Sequence, residues 1–230
     1  MTHTNGETDP KLLDVLPDPT TYLDISLVSN ESFKHHSGFD LTAENLAVGD
    51  SAAPEKYIVL GTTRVEEFAR QIALEKGLKS EMIRFWVMVK RVNKTIRPSH
   101  PLLQFDMTLE GAFKNQCSRD RRYWLWLEVK ALGKEVSWPL APASKNLILV
   151  FLKYVDGLNL TVIGIGHIYV HTSDKLSVLI PHITKLMNWP ENTQVVLLEV
   201  MLKLVIGGST ETNRVFLTGN QTQNDHTNTI

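Results

Sequence analysis

Cys117 lies in "KNQCSRDRR", where Lys114, Arg119, Arg121 and Arg122 surround the chain's only cysteine. Neighbouring cations favour a thiolate, so the first chemistry to weigh is thiol catalysis. A catalytic thiol also needs a general base and a group that orients it. The local sequence has no strand-to-helix pattern to build such a pocket, so no catalytic residue is assigned. His167 and His171 raise the second possibility, a metal site. Four positions apart on a continuous strand they share a face but stand more than ~10 Å apart, too far for one zinc at about 2 Å from each nitrogen. His35 and His36 are adjacent, with no carboxylate or thiol companion evident. The expectation is no metal and no cofactor.

The third possibility is nucleic acid. Lys90, Arg91, Lys94 and Arg97 form one basic cluster and Arg119, Arg121 and Arg122 another, with Trp86, Tyr123 and Trp126 nearby in sequence. Cations interleaved with aromatic rings hold single strands by charge and stacking. The formal net charge of −1 gives no whole-chain support to that reading. A solvated face beside a packed strand explains the same residues.

The elements that would carry these residues follow from periodicity. In "TYLDISLV", Leu23, Ile25 and Leu27 alternate with Asp24 and Ser26. In "IRFWVMVKRVNKTIRP", Ile83, Phe85, Val87 and Val89 share a core face, while Arg84, Trp86, Met88 and Lys90 make an amphipathic one. "RRYWLWLEVKAL" sets Tyr123, Leu125, Leu127 and Val129 against Trp124, Trp126 and Glu128. "KYIVL" is a further strand, and Pro98 and Pro101 are expected to end regular structure. "GTTRVEEFARQIALEKGL" predicts a helix with a capping box at Thr63 and Glu66 and a left-handed terminus at Gly77. The stretches 29–56 and 104–120 read as loop and connector.

Residues 1–20 and 207–230 read as flexible tails, and "GKEVSWPLAPASK" as a linker at 132–145. Between linker and tail, "NLILVFLKYV" and "LTVIGIGHIYV" predict a hairpin closed by a tight turn at Asp156-Gly157. "TSDKLSVLIPHITKLMNW" predicts a helix capped by Ser173 and kinked at Pro181, and "TQVVLLEVMLKLVI" a strand. Strand, strand, helix, strand thus occurs twice. The fold class expected is α+β, as two tandem β-grasp (ubiquitin-like) domains at 21–131 and 146–206, the second at risk of lacking its last strand.

The segment "IRFWVMVKRVNKTIRP" after a "GTTRVEEFARQIALEKGL"-type helix resembles the first ubiquitin-like domain behind the catalytic domain in the family of ubiquitin-specific protease seven, the herpesvirus-associated ubiquitin-specific protease. "SFKHHSGFDL" is similar to the loop after that domain's first strand, with Phe33, His36, Gly38 and Asp40 in matching places. "LILVFLKYVDGLNLTVIGIGHIYVHTSDKLSVLIPHI" resembles the start of the second ubiquitin-like domain. The resemblance covers about 21–200 and breaks after Glu199, where the family's acidic Asp-Gly-Asp peptide-binding loop has no counterpart in "MLKLVIGGSTETNRVF".

The resemblance implies a non-catalytic module that recruits proteins of the ubiquitin pathway (ligases, deubiquitinases or their substrates). In that family such partners include a herpesviral ubiquitin ligase. Candidate partner-binding residues are Lys94, Arg97 and Arg121 at the basic exit and connector, and Trp189 and Glu191 in the helix-to-strand turn of the second unit. Rival readings are a truncated or decayed relative without activity, and a nucleic-acid-binding protein. The N-terminal stretch has no basic region followed by an apolar core, as a secretory signal would. No apolar run approaches the ~20 residues that span a bilayer, so an intracellular setting, nucleus or cytoplasm, is expected.

Overall fold

The computed structural model describes residues 21–43, 46–47, 49–91, 95–114, 116, 121–130, 146–157, 159–199 and 213–219, the last segment and 198–199 as backbone only. The N-terminal stretch 1–20, the linker 132–145, Lys94 and Cys117 lie outside the described residues. The elements are β1 (Tyr22–Val28), α1 (Asn30–His35), β2 (Glu55–Leu60), α2 (Val65–Glu75), β3 (Ile83–Lys90), β4 (Ile96–Pro101), α3 (Leu109–Ala112), β5 (Arg122–Val129), β6 (Leu147–Asp156), β7 (Thr161–His171), α4 (Leu179–Met187), β8 (Val195–Glu199) and β9 (Asn213–Gly219). They form an α+β protein with a five-stranded sheet ordered β2-β1-β5-β3-β4 and a four-stranded sheet ordered β7-β6-β9-β8.

In the first sheet β1 runs parallel to β5 and antiparallel to β2. The period-two face of Leu23, Ile25, Leu27, Ile83, Phe85, Val87, Leu125 and Leu127 is buried against Val65, Phe68, Ala69 and Ile72 of α2. Gly77 takes φ 63 beyond the helix end, as expected. The N-cap is displaced by one position from the expected Thr63 and Glu66: the Arg64 amide donates to Glu67 Oε2 at 3.1 Å. Thr63 carbonyl accepts from Leu109 N at 2.9 Å, and Arg64 bridges to Thr108. That pairing holds the chain extended through Arg64, so the helix starts later.

Several expectations fail for identifiable reasons. Pro98 and Pro101 lie inside β4, paired with Met88 and Trp86. Because β4 is an edge strand, its missing amides leave no ladder bond broken. The region after β1, expected as loop, contains α1, capped by Ser29: its Oγ accepts from Ser32 N at 3.3 Å, while Ser32 Oγ accepts from Ser29 N at 3.0 Å. Serine at both ends of the box satisfies two orphan amides without the Glu or Gln that usually marks it. Ser29→Ala is expected to lower stability by about 1 kcal/mol, read as a shift in the urea unfolding midpoint. The expected connector holds α3, with Thr108 Oγ1 accepting from Gly111 N at 3.1 Å.

In the second sheet Asp156 pairs with Thr161, so the β6–β7 loop spans 157–160 and the positive φ falls on Leu160 at 53° instead of on Asp156-Gly157. Pro181 sits in the first turn of α4, after a 3-10 turn at Leu176–Val178. An amide there has no intrahelical acceptor, so proline removes no bond and imposes no kink. Ser173 does not cap the helix; its Oγ meets His171 Nδ1 at 2.6 Å. The stretch read as a tail from Gly207 carries β9, which fills the position between β6 and β8. The two sheets are not repeats of each other: β9 runs antiparallel to β6 and parallel to β8, the reverse of β5 between β1 and β3.

Candidate functional site: the joint between the sheets

The outer face of the first sheet, read as amphipathic, is buried by the second unit. Val28, Trp86, Met88, Ile96 and Trp126 pack with Phe33 and Leu41 against Leu149 and Phe151 of β6. Phe33, delivered by α1, stands edge-on to Trp126 at 5.9 Å and to Phe151 at 5.6 Å. On the other face of β6, Val150 and Leu152 meet Leu179 and Ile183 of α4. Alternation along β6 therefore divides its side chains between α4 and the first unit.

At the centre of the joint lies an ion pair. Arg84 and Glu128, on neighbouring strands, are each 3% exposed. Arg84 Nε and Nη2 donate to Glu128 Oε2 at 3.0 and 2.8 Å, and Trp86 Nε1 donates to the same oxygen at 2.7 Å. From β7, Tyr169 hydroxyl donates to Glu128 Oε1 at 2.8 Å and accepts from Arg84 Nη2 at 2.8 Å. Burial, with Glu128 second, pushes the Tyr169 phenol well above its ordinary value. Beside it, burial holds His167 below the usual histidine value. Its ring lies 5.5 Å from Trp126, and its Nδ1 is buried without a partner. Burial thus disfavours the charged imidazole at this place in the joint.

Contact is closest at Gly164 of β7. A Cβ there would lie 2.3 Å from the Phe33 carbonyl oxygen and 2.7 Å from its ring, so only glycine lets β7 lie against α1. The register shift between Leu152 and Lys153 falls at the same level of the hairpin. Gly38 N donates to Val162 carbonyl at 2.8 Å and Ser37 bridges to Ile163, so the chain after α1 also clasps β7.

The residues singled out from sequence are not gathered into one place. Arg97 is buried and pairs with Asp40, while its Nη2 donates to Phe39 carbonyl at 3.2 Å. Its guanidinium ties β4 to the loop after α1 and does not face outward to a partner. Arg121 is half-buried, donating to Tyr22 carbonyl at 3.1 Å and to Glu110 at 3.0 Å. Arg122 faces Asp24 at 3.7 Å. Arg97, Arg121 and Arg122 thus each face an acidic side chain of the same fold, whereas Lys90 is exposed and Arg119 lies outside the described residues. Trp189 is partly buried, edge-on to Tyr154 at 5.5 Å; Glu191 is exposed. Among the described residues no three His, Cys, Asp or Glu side chains are grouped to hold a metal, and no helix is long and apolar enough to cross a membrane. The Glu128 and Tyr169 contribution was missed in sequence because its partners come from three separate strands.

Residues 83–221 match the family model described as the ICP0-binding domain of Ubiquitin-specific protease 7. The match runs through β9, past the break expected after Glu199. The chain is 26% identical over 174 residues to Ubiquitin carboxyl-terminal hydrolase 5 of Schizosaccharomyces pombe, covering 75% of this chain and 16% of that protein. It is 27% identical over 159 residues to Ubiquitin C-terminal hydrolase 12 of Arabidopsis thaliana, covering 67% and 14%. To Ubiquitin C-terminal hydrolase 13 of the same plant it is 24% identical over 140 residues, covering 60% and 13%. The chain spans under one fifth of the length of these relatives. With more than half of its residues inside that family model, the chain belongs to the family of the ICP0-binding domain of Ubiquitin-specific protease 7.

Proposed function

We propose that this chain is a non-catalytic protein-binding module of the ubiquitin system. It would present the surfaces of two joined units to ligases, deubiquitinases or their substrates. The observation that carries the reading is the family match across the joint, from β3 through β9. The buried chemistry agrees with it. Arg84, Glu128 and Tyr169 complete one another's hydrogen bonds, and such a set fixes two bodies in one orientation without serving a reaction. The order β2-β1-β5-β3-β4 with α2 packed across it supports a β-grasp first unit. The second is read as a divergent relative of that fold, with its last strand reversed. Ubiquitin-pathway partners imply an intracellular setting.

The test is capture from native lysate with the tagged chain at two salt concentrations, read by mass spectrometry. Recovery of ubiquitin ligases, a deubiquitinase or their substrates at both salts is the expected result. Recovery of chaperones alone would overturn the reading. Nucleic-acid-dependent recovery that vanishes at high salt would replace it with an electrostatic one.

A further inference from the structure

Lys153 is out of character with its surroundings. It continues the row Leu149, Phe151 on the face of β6 that meets the first unit, and it is 0% exposed. Its Nζ donates to the Gly38 carbonyl at 2.6 Å and stands 4.9 Å from the centre of the Phe33 ring. Both contacts cross the joint. The acid that acts on it, Asp40, is committed elsewhere: it pairs with Arg97 and accepts from Leu41 N at 2.8 Å and Ile96 N at 3.2 Å. From β4, Arg97 adds a second cation, and His36 lies after α1. On the β7 side the paired residue is Gly164, which brings no charge. The carbonyl and the ring give an ammonium some support, but full burial beside another cation, with the acid already paired, leaves its charge poorly compensated.

We propose that Lys153 is a proton-operated latch of the joint: the two units close around its neutral amine and loosen when it takes up a proton. Burial first, then Arg97, pushes the amine down to about 7 against opposition from Asp40. Above pH 7 the folded chain carries a neutral amine where the unfolded chain, up to the ordinary value of 10.5, carries a cation. The unfolded state then binds more protons and stability rises with pH; below 7 both states hold the proton and the slope disappears. His36 is also depressed, chiefly by burial; its contribution is lost below the ordinary 6.5, outside this window. Tyr57 and Tyr169 are raised above 10 and act with opposite sign only at the alkaline end.

Two measurements on the full chain test the latch. Carbon-13 lysine NMR should show one lysine with a midpoint near 7 that Lys153→Met removes; every lysine titrating near 10 would overturn the proposal. Amide exchange should show protection of Gly38, whose N–H spans the joint, rising up to about tenfold per pH unit between pH 7 and 9. The β1–β5 ladder should stay level, and the rise should be absent in Lys153→Met. An equal rise in both proteins, or a rise shared by the ladder, would sink it. The wild-type titration stands whether or not the variant folds.

Discussion

Glu128→Ala is expected to lower the stability of the folded chain by about 3–5 kcal/mol, the range for breaking a buried ion pair from one side. The cost arises from what remains. Arg84, 3% exposed, keeps a charge that water cannot reach. Trp86 Nε1 and the Tyr169 hydroxyl also lose their carboxylate acceptor. Glu128→Gln retains the shape and an oxygen but not the charge, and its stability should fall between those of the wild type and Glu128→Ala. Replacing Arg84 and Glu128 together by apolar residues should recover much of the loss, because a buried pair is often little more stable than a well-packed apolar substitute. Urea unfolding of the single apolar replacement at Arg84, the single one at Glu128 and the double closes the cycle. A single-variant loss below about 1 kcal/mol would mean that Arg84 finds water or another acceptor.

Gly164→Ala is the second substitution with a large expected effect. The new methyl group would be driven 2.3 Å from the Phe33 carbonyl oxygen. Neither backbone can retreat without moving a strand or α1, so the cost should reach or exceed the ~1–3 kcal/mol of ordinary overpacking. The effect should be local in character. The joint should open before either sheet melts, giving a larger radius in small-angle scattering and lost protection at Gly38, while the β1–β5 ladder stays protected. Gly157→Ala is the control: a Cβ there meets nothing within 4 Å, and its unfolding midpoint should move little.

How much of this was legible in the sequence depended on whether the cause was local. Leu23, Ile25 and Leu27 alternate with Asp24 and Ser26, Ile83, Phe85 and Val87 alternate with an amphipathic set, and all six are found in the core. Gly77 needed only its own φ. The opposite face was harder. Arg84 and Glu128 look like solvent-facing charges, yet they satisfy each other from positions 44 apart, and only a second sheet explains why Trp86 and Trp126 lie beside them. Strand β4 was hidden because proline forbids a strand only where its amide is required, and the edge does not require it. Strand β9 was hidden because "NRVFLTG" gains its meaning from the gap between β6 and β8. The burial of Arg97 was hidden for the same reason: its partner Asp40 comes from the loop after α1.

The face of the first sheet that carries Val28, Trp86, Met88, Ile96 and Trp126 also bears on how the chain can be divided. Cutting in the proline-bearing linker would give the first unit a wide, sticky surface rich in indole, and would strip the second of the wall against which Leu149 and Phe151 are laid. Large uncovered apolar patches drive self-association. The two halves are therefore poor candidates for separate expression or for shuffling into other proteins. What a recombination event can usefully carry is the pair, and the linker, for all its loop-like composition, marks a seam in the chain without marking a place to cut.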